Sequence, residues 1–175
     1  MDKDKLRAQL EEHHQASYGW ALHCTGRDRQ LAEDVLQSSY LKVLQGKAPY
    51  VGLAEFRTWL FAVIRKTAAD EQRRLALRRL LLFRNEARVA SPAPPVQPDR
   101  RAEQAESNRR FERALASLPG RQRQVLYLVF AEDLSLQQAA GVIGVSVGAA
   151  RRHYERGKQR LRERFNRGEF EHVSR

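Results

Sequence analysis

Leu134-Ser-Leu-Gln-Gln-Ala-Ala-Gly-Val-Ile-Gly144-Val-Ser146-Val-Gly-Ala-Ala-Arg151-Arg-His-Tyr-Glu-Arg156 is the stretch that decides how this chain of 175 residues is read. Ser135 stands just before the apolar-periodic run Leu136–Ile143, where a hydroxyl can accept from a backbone N–H that the first helical turn leaves over. Gly144-Val145 makes a tight turn, and Ser146 is placed to cap a final helix running to about Phe165. Two helices joined by a short Gly-containing turn, the second opening on Ser and loaded with Arg, form the helix-turn-helix pattern. Ala139, Ala140 and Gly144 are small where two such helices have to approach closely. A generic helical hairpin would leave the basic second helix unexplained.

The same stretch contains Gly144-Val-Ser146-Val-Gly148, which matches the G-x-S-x-G elbow of nucleophilic hydrolases. That elbow needs a preceding strand in a parallel sheet, with an acid and a His in support. Here a helical pattern precedes it and only His153 and His172 follow, so Ser146 is read as a cap. His13 and His14 are adjacent, point about 100° apart on a helix, and cannot chelate one ion together. Gly46-Lys47 lacks the rest of a phosphate-binding loop. No catalytic constellation and no metal site is expected.

Working outward, Phe111, Leu115 and Leu118 end one helix at Pro119-Gly120, and Arg121–Ala131 makes another around Val125, Leu126, Leu128 and Val129. Four of the six prolines, Pro92, Pro94, Pro95 and Pro98, fall between Ser91 and Asp99, a density that no helix tolerates. The chain therefore divides into residues 1–84, a flexible Pro-rich linker over 85–104, and residues 105–175. In the first part Leu6, Leu10, Tyr18, Ala21 and Leu22 recur at helical spacing in one helix closed by Gly26. Asp28 can cap the next helix, striped by Ala32, Val35, Leu36, Tyr40, Val43 and Leu44. After the loop Gly46–Gly52, the residues Phe56, Trp59, Leu60, Val63, Ile64 and Thr67 line one face of a long helix whose other face carries Arg57, Arg65, Lys66, Arg73 and Arg74. The fold class is all-α, two small helical domains joined by a linker.

The charge is unevenly placed. Lys and Arg total 32 against 21 Asp and Glu, a net charge of +11. Residues 1–64 balance at eight basic and eight acidic side chains, and the excess lies in Arg65–Arg88 and Arg151–Arg167, each with eight basic residues, mostly Arg. Arginine's planar fork suits phosphates and guanine edges, so two such runs favour a polyanionic partner over a merely solvated helix face. The single Cys24 excludes an intramolecular disulfide and, with no signal peptide visible behind Met1–Lys5, points to a reducing, cytoplasmic setting. The longest apolar run, Val125–Ala131, is far too short to span a membrane.

Three ordered fragments resemble the extracytoplasmic-function sigma factors of bacterial RNA polymerase, over about residues 10–165. Ala32-Glu-Asp-Val-Leu-Gln37 followed by Tyr40-Leu looks like the helix that docks the polymerase clamp. Phe56-Arg-Thr-Trp-Leu-Phe-Ala-Val-Ile-Arg65, then Asp70 and Arg73-Arg74, is similar to the stretch that melts and reads the −10 element. Leu118-Pro-Gly-Arg-Gln-Arg-Gln-Val125, with Leu134-Ser-Leu through Gly148, looks like the helix-turn-helix that reads the −35 element.

The resemblance implies a region 2 helical bundle over 1–84 and a region 4 helix-turn-helix over 105–175. The partners it implies are core RNA polymerase, through its β′ clamp and β flap, promoter DNA, and a membrane-linked anti-sigma factor; it implies no cofactor and no chemistry by the chain alone. Polymerase contacts would come from Asp34, Gln37, Ser38 and Lys42. The −10 element would be held by Tyr50 as a stacking side chain in the loop Lys47–Phe56, with Arg57, Arg65, Lys66, Arg73 and Arg74. Trp59 and Phe61 are candidate melting aromatics, but Trp59 sits on the apolar stripe, where a core role is the commoner one. The −35 element would meet Ser146, Arg151, Arg152, Glu155 and Arg156; Glu155 either accepts from a cytosine amino group or pairs along the helix with Arg151 or Gln159. Lys66, Ser38-Ser39, Gly141 and Ala149-Ala150 depart from the family's usual residues, which bears on promoter preference and not on class. A helix-turn-helix regulator that does not join polymerase is the alternative, and it leaves the clamp-like helix unexplained.

Overall fold

A computed structural model describes residues 2–82 and 113–166, and these fall into two compact units. The expected linker over 85–104 lies outside the described residues, as do Phe111, Arg84, Arg88 and Arg167. Every regular element among the described residues is a helix.

The first unit holds α1 (Lys3–Glu12), α2 (His14–Cys24), α3 (Arg29–Leu44) and α4 (Phe56–Leu82). The single helix expected across Leu6–Leu22 is broken at His13, whose φ is −97° and ψ 9°. The backbone ladder still crosses the break, with His13 N donating to Gln9 O at 3.2 Å and Ser17 N to His13 O at 2.9 Å. The two adjacent histidines face different helices there. His13 stacks on Phe56 of α4 at 6.0 Å between ring centroids, and the His14 ring meets the Tyr40 ring of α3 edge-on. Asp28 caps α3 as expected, accepting from Leu31 N at 3.0 Å.

The core of this unit lies where α2, α3 and α4 meet. Trp20 is fully buried, donates through Nε1 to the carbonyl of Phe61 at 2.9 Å, and stacks on the Phe61 ring. A large aromatic with its N–H satisfied can be buried without an unpaired donor. The buried residues of α2 are Ser17, Trp20, Ala21, His23 and Cys24, while Tyr18 and Leu22 are only half-buried, so the stripe expected from the sequence is rotated from the true one. Because α4 packs on both α2 and α3, its buried arc is wider than a single stripe and includes Phe61 and Ala68 beside Leu60 and Ile64.

The second unit holds α5 (Gly120–Phe130), α6 (Leu136–Ile143) and α7 (Val147–Asn166), preceded by a helical turn at 113–116. The capping box at α6 is complete: Ser135 Oγ accepts from Gln138 N at 3.2 Å, and Gln138 Oε1 accepts from Ser135 N at 2.8 Å. Gly144 closes α6 at φ 66°, ψ 49°, a left-handed conformation costly for any residue with a Cβ, and Val145 N reaches back to Ala140 O at 3.1 Å. Val125, Leu126, Leu128, Ala139, Val142, Ile143 and Ala150 form the core between these helices.

Candidate nucleic-acid interface

In the second unit, Ser146 Oγ accepts from Ala149 N at 3.2 Å, so its hydroxyl closes the first turn of α7. A helix, not a strand, precedes it, which removes the context a nucleophile elbow needs. Arg151, Arg152, Glu155 and Arg156 are all exposed, and at 100° per residue they cover the outward side of the first half of α7. The inward side is Ala150, Gly157 and Leu161. Neither expected partner of Glu155 is the one observed. Its carboxylate lies 3.6 Å from Lys158 Nζ, three residues on, while Gln159 Nε2 donates to Glu163 at 3.0 Å. A pair at that distance whose carboxylate is exposed is weak, so Glu155 can exchange it for a donor on a ligand.

Two residues outside the expected set hold this surface in place. Arg121 Nη1 donates to the Ile143 carbonyl at 2.7 Å, tying α5 to the end of α6 just before the turn. Tyr154 stacks on Phe130 at 5.9 Å and lies under Lys158 Nζ, 4.8 Å from the ring centroid. Arg121 stands in the Leu118–Val125 fragment, but a lone Arg at a helix start carries no signal of where its guanidinium will reach.

In the first unit the basic residues of α4 do not share one face. Lys66 and Arg73, seven residues apart, are exposed about 20° from each other around the helix. Arg57 and Arg65 are half-buried, and Arg74 turns about 100° from Arg73. Arg73 pairs with Asp70 at 2.9 Å and Arg74 with Glu71 at 3.0 Å, both exposed and therefore easily exchanged for phosphate.

Tyr50 sits in an aromatic cluster, its ring 5.3 Å from Phe56 and 5.1 Å from Trp59, and its hydroxyl donates to Ala54 O at 2.7 Å. The hydroxyl thus pins the loop before α4, and the half-buried ring has only part of its surface available for stacking. Of the two aromatics left open by the sequence, Phe61 is core and fully buried, whereas Trp59 is half-buried in the Tyr50 cluster.

On α3, Asp34 and Gln37 are exposed and Ser38 is half-buried. Lys42 does not extend with them: its Nζ donates to Thr67 Oγ1 of α4 at 3.1 Å. Leu41, one turn beyond Gln37, is 51% exposed and was not singled out by sequence reading. The signal available was a large apolar residue in phase with Asp34 and Gln37 on a polar face.

Residues 10–78 match the model of sigma-70 region 2, and residues 108–161 match that of sigma-70 region 4. The chain is 31% identical over 140 residues to the ECF RNA polymerase sigma factor SigF of Caulobacter vibrioides, covering 78% of this chain and 72% of that protein. This chain belongs to the extracytoplasmic-function sigma factors. A further relative, the probable RNA polymerase sigma factor RfaY of Xanthomonas campestris, is 30% identical over 137 residues, and the chain spans only 34% of its length. Among solved structures, the sigma factor RpoE of Bartonella quintana, crystallised with the anti-sigma factor NepR, has the same fold, with a TM-score of 0.70 at 19% identity over 98% of this chain and 99% of that one. This sigma factor has no helix among its described residues long and apolar enough to cross a membrane.

Proposed function

We propose that this sigma factor confers promoter specificity on core RNA polymerase from the cytoplasm, performing no catalysis itself, and is held in check by an anti-sigma factor. Residues 1–84 dock the β′ clamp through Asp34, Gln37 and Ser38 of α3, with Leu41 adding apolar area to the same face. The adjoining α4 holds the opened −10 strand. Unstacked bases need a pocket with cationic support along the backbone, supplied by the Tyr50-pinned loop with Lys66 and Arg73, and by Arg57, Arg65 and Arg74 around them. Residues 105–175 meet the β flap and set Arg151, Arg152, Glu155 and Arg156 in the major groove of the −35 element, where Arg reads guanine and Glu accepts from cytosine.

The observation that carries this reading is the pairing, within the first unit, of an exposed uncharged-to-acidic face on α3 with the exposed cations Lys66 and Arg73, which share one side of α4. A DNA-binding regulator acting through α7 alone would have no use for either. Purified chain added to core polymerase is expected to co-elute with it and to direct runoff transcription from a subset of genomic promoters. Failure to co-elute would refute the proposal. Asp34→Arg is expected to abolish polymerase binding while leaving the affinity of the chain for −35 duplex DNA unchanged.

A further inference from the structure

Lys42 occupies a junction between three parts of the first unit. Its ammonium donates to Thr67 Oγ1 on α4 at 3.1 Å, and Thr67 is 1% exposed. Its carbonyl accepts from both Lys47 N at 2.9 Å and Ala48 N at 3.2 Å, which begins the loop leading to α4. Thr67 lies next to Lys66, the exposed cation of the α4 face, and six residues before Arg73. A lysine free in solvent keeps several rotamers open. Here the stem is half-buried and the charged donor is spent on a neutral hydroxyl, a bond stronger than one between neutral groups.

We infer that Lys42 is a positioning residue, a strut that sets the −10 helix α4 and its loop against the polymerase-facing helix α3, and that it does not itself contact polymerase. The inference rests on the sigma-factor reading above. Docking α3 on the clamp then fixes where Lys66, Arg73 and the Tyr50-pinned loop stand, because the strut joins α3 to α4 beside Lys66 and its carbonyl holds the start of the loop. Positioning of this kind is sensitive to shifts of an ångström or less.

Two substitutions in the full chain isolate the strut. Lys42→Met keeps the aliphatic stem and removes the ammonium, and Thr67→Val keeps the shape and removes the hydroxyl. Each is expected to leave the Kd for core polymerase within about twofold and to slow promoter opening at saturating polymerase by roughly tenfold, read with 2-aminopurine in the −10 element. The double variant is expected to be no slower than either single one. Weakened polymerase binding in Lys42→Met but not in Thr67→Val would overturn the inference by making Lys42 a direct contact. Normal opening by both variants would overturn it as well. Urea unfolding of the chain without polymerase gives an independent reading of the bond: additive effects of the two substitutions would overturn the strut, whereas a wild-type chain unable to bind polymerase would refute the underlying function instead.

Discussion

Gly157 lies on the inward side of α7, where a Cβ would stand 2.7 Å from Leu126 Cδ1 and 3.3 Å from its Cγ. Leu126 is itself fully buried, so the core around it would have to shift. Glycine in a helix interior costs about 1 kcal/mol against alanine, so its presence here is explained by the close approach of α7 to α5. Gly141 is the opposite case: it is helical and exposed, and a Cβ would meet nothing within 4 Å. Gly157→Ala is therefore expected to destabilise the second unit by about 1–3 kcal/mol through overpacking, and Gly141→Ala to stabilise it by up to about 1 kcal/mol. Urea unfolding of the two variants checks both signs, and the same sign for both would refute the packing argument. A sequence displays two glycines in helical runs and cannot tell them apart, because the difference lies in what the neighbouring helix presents.

Elements were more legible than their faces. The caps at Asp28, Ser135 and Ser146 and the left-handed Gly144 are local devices, governed by a few consecutive residues, and they stand where the sequence placed them. The face a helix buries is set by how its neighbours are arranged around it. α4 is flanked by both α2 and α3, which is why Phe61 is core although it lies off the expected stripe; the five basic residues read as one face are spread around α4 by their own spacing at 100° per residue. α7 also packs on two helices, α5 and α6, but it buries only the narrow stripe Ala150, Gly157 and Leu161, so its outward residues were legible. Arg151→Ala and Arg156→Ala separate base reading from phosphate contact on this element. A base-reading arginine is expected to cost about 1–3 kcal/mol and to relax preference at one promoter position, measured by binding to a set of −35 duplexes with single substitutions. Equal loss on every duplex would mark a phosphate contact.

At the scale of the molecule the net charge of +11 resolves into a balanced first third and two cationic regions, one in each unit. Binding to promoter DNA is expected to weaken steeply with salt, each neutralised phosphate adding about −0.9 to the slope of log K against log salt. Arg152→Ala should make that slope shallower by about 1 if its guanidinium sits on a phosphate; an unchanged slope would remove Arg152 from the phosphate contacts. The sequence by itself determined the all-helical class, the helix ends at Asp28, Ser135, Gly144 and Ser146, the helix-turn-helix and the family, because these follow from spacing, capping and motif order along the chain. Only the tertiary structure decided that α1 and α2 part at His13, that Phe61 is core, that Tyr50 pins a loop, and that Lys42 is turned onto Thr67. Three of these involve a partner distant in sequence, Phe56 and Tyr40 for the histidines, Trp20 for Phe61 and α4 for Lys42, while Tyr50 closes on Ala54, Phe56 and Trp59 within its own loop and the start of α4. A side chain's neighbours across a helix interface are set by packing, and the linear pattern of one helix does not contain them.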